Sequence, residues 1–327
     1  MRTIHAMAGV FAMISALPAT AVTLNPKGLG QALIYPYYTV NKGQDTLVSV
    51  VNASDVGKYA LVQFREGYNG RAVLEFYLYL SARDTWTAVI SEGEDGGAKL
   101  VTADSSCTRP AIPAAPAGQP FSATQYTGLS VAPWDVPDSG PQTIARVREG
   151  HIEIIARGDI APGSALDIAI TPPSAGEAPP DCASVPVGSF VTELAPGNAL
   201  SGSASIVNVA EGTFFTYGAD ALAGFTGVAL NFGSGMADYD MLLAANSANL
   251  PAGATANLST DDGEPLAIDY EQGINAVSAV FMKNAIYNDY LNAAALGAST
   301  DWIVTFPTKR YYTDPMYGGM IPRAPFT

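Results

Sequence analysis

Between residues 45 and 90 the chain alternates short β-branched or aromatic runs with turns of only a few residues, and this spacing restricts the fold more than any other feature. Asp45–Asn52 is β-branched and lies between Gly43 and the turn signal Asn52, Ala53, Ser54, Asp55. Residues 58–65 follow, then a polar turn at 67–70, then 72–80 with alternating aliphatic and aromatic side chains, then 85–90. Strands joined by connections this short pair antiparallel, because a parallel crossover needs a dozen or more residues. The expectation is a mainly β fold: an antiparallel β-sandwich-like domain or domains, with one amphipathic helix near the C-terminus.

Prolines break this pattern over 108–141, where no regular structure is expected, and again over 172–186. Residues 148–156 return to strand alternation. A second region is expected to begin near Gly188, giving a first domain over 22–187 and a second over 188–310. It contains a hairpin from 204–209 and 212–217, a loop-rich stretch with one short helix over 218–265, and a strand over 302–306 stopped by Pro307. Its helix is predicted over about 274–296, where Ile274, Val277, Phe281, Ala285, Tyr290 and Leu291 recur at three- and four-residue intervals and Gly297 suits a C-cap. Residues 311–327 read as a tail.

The ends and the cysteines set the compartment. Arg2 and His5 precede an apolar run from Ala6 to Leu17, then Pro18 and Ala19, Thr20, Ala21, the order of a secretory signal peptide cleaved after about Ala21. That run is too short to span a bilayer, so no transmembrane segment is expected, and the mature chain is placed in the periplasm, at the cell surface or outside the cell. Cys107 and Cys182, the only cysteines, read in an exported chain as one disulfide closing a loop of about 75 residues. A metal pair or two free thiols are the poorer alternatives, since zinc needs about four ligands and His151 is the only histidine beyond the signal. The formal charge of −14, from 30 acidic and 16 basic residues, argues against nucleic acid as a partner, because phosphate recognition needs clustered Lys and Arg.

Several short segments stand out: Leu80, Ser81, Asp84 and Trp86, Thr87, Ala88; Asp104 to Thr108; Glu149, Gly150, Ile152, Glu153; and Asp301, Trp302 with Phe306, Pro307, Thr308, Lys309. Together they resemble uncharacterised exported proteins of Gram-negative bacteria. The resemblance implies export and a surface or secreted location. It brings no activity, cofactor or catalytic residue, and it implies that some relatives extend past the equivalent of Thr327.

Candidate chemistry is sparse. A Ser-His-Asp triad has only His151 to use, with no Gly-x-Ser-x-Gly elbow, and the residue reads as an ordinary exposed strand histidine. Glu149 and Glu153 share one strand face, and Glu66 and Glu75 flank the 67–70 turn; such pairs can serve a carboxylate-dependent glycoside hydrolase, but alternating acids are usually the solvated face of a strand. Asp261, Asp262 and Glu264 offer hard oxygens for calcium without the spaced series of an EF-hand, and a solvated turn is the simpler reading. Tyr35, Tyr37, Tyr38, Trp134, Tyr311 and Tyr312 are candidate binding aromatics, although alternation sends part of each group into the core. No cofactor is expected. The function expected is that of a structural or interaction module contacting protein or glycan at the cell surface, with a glycoside-type hydrolase as one alternative. The other is a filament or surface-array subunit that self-associates by adding residues 22–38, or the tail from Tyr311, as a strand.

Overall fold

In the computed structural model, which describes residues 21–127, 138, 140–186, 194–230, 254–260, 262–283, 285–287, 289–290 and 300–313, the strands pair antiparallel in two large sheets and one hairpin. In chain order they are β1 (Thr23–Leu24), β2 (Ala32–Thr39), β3 (Asp45–Asn52), β4 (Gly57–Glu66), β5 (Ala72–Leu80), β6 (Thr85–Glu92), β7 (Ala98–Val101), β8 (Cys107–Arg109), β9 (Gln119–Pro120) and β10 (Glu149–Ile160). Then come β11 (Leu200–Asn208), β12 (Thr213–Gly218), β13 (Asp220–Ala223), β14 (Ala254–Ser259) and β15 (Pro265–Tyr270). The helices are short: α1 (Thr124–Thr127), α2 (Ala165–Ile170), α3 (Gly273–Phe281) and α4 (Lys309–Thr313). The seven-stranded sheet runs β1-β13-β2-β10-β4-β5-β8 and the six-stranded sheet β12-β11-β3-β6-β7-β9.

The mainly β, sandwich-like reading therefore holds, but the meander does not run as expected. The β4–β5 hairpin pairs as read, with Val62 opposite Phe76. The short connections on either side of it cross instead to the other sheet, where β3 pairs with β6. Asn52 fixes this corner. Its buried amide donates to the carbonyls of Val56 and Ser81, both at 2.8 Å, and so ties the two crossings together.

The inner faces meet in one core: Val62, Phe64, Phe76, Leu78, Ile152 and Ile154 against Val48, Val50, Trp86, Ala88, Ile90 and Leu100. The boundary expected near Gly188 does not separate two domains. β11 pairs with β3, and β13 lies between β1 and β2, so residues 200–223 complete the same two sheets. The 204–217 hairpin forms as read, while the stretch thought to hold a short helix contributes β13 and β14, with residues 231–253 outside those described.

A third layer covers the outer face of the seven-stranded sheet. The β14–β15 hairpin, α3 and α4 bury Ile274, Val277, Tyr311 and Tyr312 against Ala32, Ile34, Leu61 and Ile155. Tyr311 and Tyr312 are thus core residues rather than an exposed platform, and of the expected tail residues 314–327 lie outside those described. The helix expected over 274–296 ends at Phe281. Met282 has extended backbone, and Ile286, Tyr287 and Tyr290 are exposed despite their helical spacing. Short helices are held by the face they bury, and beyond Phe281 that packing ends. Residues 302–306 form no strand, because they cross over a sheet face with no edge to pair with. Among the described residues no helix is long and apolar enough to cross a membrane. Residues 1–20, which hold nearly all of the expected signal sequence, together with Trp134 and Asp261, lie outside the described residues.

Candidate functional site

The cleft of interest forms where β2 is irregular. Four residues of β2, from Tyr35 to Tyr38, span what β10 covers with three, Gly150 to Ile152, so β2 bulges at Pro36 and Tyr37. Pro36 has no N–H to leave unpaired there. The bulge turns both Tyr35 and Tyr38 into the sandwich core and leaves Tyr37 on the outer face. Gly150 is required opposite: a Cβ there would stand 1.8 Å from the carbonyl oxygen of Arg65.

Around this bulge lies a cleft of about 410 Å³. Its floor carries Tyr37, Arg65, Glu149 and His151, and its roof is the irregular segment from Trp302 to Pro307 with Lys309. The roof is tied at two points: the Thr305 hydroxyl donates to the Pro36 carbonyl, and Lys309 Nζ donates to the Tyr68 carbonyl at 2.8 Å. Trp302, Phe306 and Tyr68 keep more than half of their surface exposed around this opening.

The carboxylates of the floor are occupied. Glu149 accepts from the Tyr37 hydroxyl at 2.8 Å and from the Asn41 amide at 3.2 Å. Burial, with the nearby Glu149 carboxylate adding to it, pushes the Tyr37 phenol up to about 12, so it stays a donor. Glu153 is wholly buried beneath the cleft and not on a solvated face: Arg65 Nε lies 3.0 Å from its Oε2 and His151 Nε2 3.1 Å from its Oε1. The expected exposed histidine is likewise buried. Glu75 accepts from Gln63, whose own oxygen accepts from Arg65 at 3.1 Å, which extends the cluster along the sheet. Glu66 at the far end accepts from Arg146 at 2.7 and 3.0 Å and from the backbone N–H groups of Tyr68, Asn69 and Arg71, organising the β4–β5 turn.

Burial alone would raise the Glu153 pKa, but the Arg65 charge and the His151 contact outweigh it and hold the carboxyl below the ordinary Glu range. Asp138 is held low in the same way, burial being overcome by Arg146. A carboxyl lowered on folding stabilises the protein fully above its unfolded pKa and ceases to do so as the pH falls through its folded value. Stability should therefore decline below about pH 4. Melts followed by near-ultraviolet circular dichroism between about pH 7 and pH 3 test this. A melting temperature that does not fall over this range would contradict the assignment.

The remaining sequence candidates fall elsewhere. Tyr35 is buried, its hydroxyl donating to the Ser49 carbonyl, and Tyr38 packs on Phe64 and Phe121. Asp262 and Glu264 lie in the exposed β14–β15 turn, and among the described residues no group of three His, Cys, Asp or Glu is arranged to hold a metal ion. Of the aromatic candidates among the described residues only Tyr37 lines the cleft. Arg65, Tyr68, Trp302, Phe306 and Lys309 were not singled out as site residues, although segments 149–153 and 301–309, which carry the resemblance, meet across it. Comparison with known proteins finds no matching family model, no similar curated protein and no similar solved structure.

Proposed function

We propose that the protein is an exported, non-catalytic binding module that holds a glycan in the cleft between β10 and the 302–310 segment. Export is supported by the tripartite pattern of residues 1–21 and by the Cys107–Cys182 disulfide, a bond that persists in oxidising compartments. The observation that carries the glycan reading is the juxtaposition of half-exposed Trp302, Phe306 and Tyr68 with a floor of Tyr37, Glu149 and His151. Flat aromatic faces take up the C–H faces of a sugar ring, and fixed acceptors and donors below them take its hydroxyls.

The hydrolase alternative is the weaker reading. Glycoside cleavage needs one carboxyl kept protonated as the acid, and Glu153 is biased the other way by Arg65.

Calorimetric titration of the disulfide-intact protein against a panel of neutral and acidic oligosaccharides tests the proposal. At least one member should bind, and Trp302→Ala should weaken it by roughly tenfold or more. A panel without a binder, or a Trp302→Ala variant that binds as wild type does, would overturn it. Release of shorter products by wild type but not by Glu149→Gln would instead establish the hydrolase.

A further inference from the structure

Each sheet has two outer edges, and three of the four are protected. β1 is two residues long, and Val22 beside it bridges to Ala256, exchanging backbone hydrogen bonds with Thr255 and Asn257. β8 has three residues, is followed by Pro110, and is covered by the chain around Cys182 through the disulfide and the Arg109 contact to the Val185 carbonyl at 2.9 Å. β9 is two residues and ends in Pro120. These are the usual ways of blunting an edge: shortness, proline and cover.

β12 has none of them. It is six residues long, Thr-Phe-Phe-Thr-Tyr-Gly, without charge or proline. Among the described residues no strand pairs with its outer side. Phe214 and Phe215 are 77% and 64% exposed. The segments thought suited to strand addition are committed elsewhere, β2 pairing on both sides with β10 and β13 and α4 being packed on α3.

We propose that β12 is an assembly edge, along which a second copy of this chain pairs its own β12 antiparallel to join two six-stranded sheets into one. A row of free N–H and C=O groups is complementary to another strand, and an antiparallel edge is complementary to itself about a two-fold axis. With that axis perpendicular to the sheet, opposed residues must share a face. Pairing centred on Phe215 meets this condition, setting the two Phe215 rings side by side and Phe214 beside Thr216. Aromatic–aromatic and aromatic–β-branched neighbours are the stabilising cross-strand kinds. Charge also favours this edge for a chain of formal charge −14, whose copies repel, since the strand itself is uncharged. Glu211 and Asp220 flank it at either end, so the pairing should tighten as salt screens them.

Sedimentation velocity on the full, disulfide-intact chain should show a monomer–dimer equilibrium that shifts to dimer with concentration and with added sodium chloride. The double variant Phe214→Lys, Phe215→Lys should weaken the dimer by roughly tenfold or more, with its circular dichroism unchanged because both side chains are exposed. Amide hydrogen exchange on the wild-type protein gives an arm independent of any variant: protection over 213–218 should rise with protein concentration. A monomer at every concentration, a double variant that dimerises like wild type, or exchange over 213–218 that ignores concentration would each overturn the proposal.

Discussion

Removal of the Cys107–Cys182 bridge by Cys107→Ala with Cys182→Ser is expected to lower the unfolding free energy by about 4 kcal/mol. The bond closes a 75-residue loop, and the chain-entropy estimate for a loop of that size is about 4 kcal/mol. With an unfolding entropy of about 2.1 cal/mol/K per residue, the melting temperature should drop by about 6 °C. Position sets which region loosens first. Cys107 is buried in a satellite cluster with Tyr59, Tyr79, Ile160, Ile170 and Val185, apart from the sandwich core. The chain from α2 to Pro186 is held there by the bridge itself, by Arg109 on the Cys182 and Val185 carbonyls, by the Tyr79 hydroxyl on the Pro186 carbonyl at 3.0 Å, and by the burial of Ala169, Ile170 and Val185. Hydrogen exchange in the variant should therefore accelerate over 161–186 before it does in β4 or β10. A melting temperature within about 1 °C of wild type would show that the loop is closed equally well without the bond.

What the sequence reveals here is local, and what it conceals is decided by distant chain. Cys107 and Cys182 are legible as a pair because the sequence offers each of them only the other, and the bridge needs no knowledge of topology. The β4–β5 and β11–β12 hairpins are legible from their turns. The crossings from β3 to β4 and from β5 to β6 are not, since a four-residue link suits an arch between sheets as well as a hairpin, and the decision rests on Asn52 reaching Ser81 across the corner. Alternation assigns His151 and Glu153 correctly to the face opposite Ile152 and Ile154. It then misjudges that face as solvated, because the layer that covers it comes from residues beyond 254, a hundred positions later. The same long-range packing shortens the helix to Phe281: its apolar spacing continues, but the surface to receive it does not. The cleft inherits this difficulty, being built from a bulge in β2, the start of β10 and a roof near residue 305.

Glu153→Gln is expected to destabilise the protein by about 3–5 kcal/mol, the usual cost of removing one member of a buried ion pair. Arg65 and Glu153 are both buried, and in that variant Arg65 loses the Glu153 charge while Gln63 Oε1 and the Gly70 carbonyl at 3.0 Å remain among its acceptors. Replacing both members by apolar groups of similar size, Arg65→Met with Glu153→Leu, removes both buried charges, and such exchanges are often neutral or stabilising. Here the double variant still removes the Arg65 donor to Gln63 Oε1 and the Glu153 partner of His151 Nε2. The two substitutions should therefore cost less together than the sum of the two single variants. A double-mutant cycle from denaturant unfolding measures this, and coupling near zero would mean that the 3.0 Å contact is energetically idle. The cycle also decides how function must be probed. Loss of any activity in Glu153→Gln cannot distinguish a catalytic carboxyl from a collapsed cleft floor, because the floor residues Arg65 and His151 are the partners of Glu153. Glu149, reached from the cleft and held by the hydroxyl of Tyr37 and the amide of Asn41 rather than by a buried charge, is the carboxylate whose substitution separates binding from turnover.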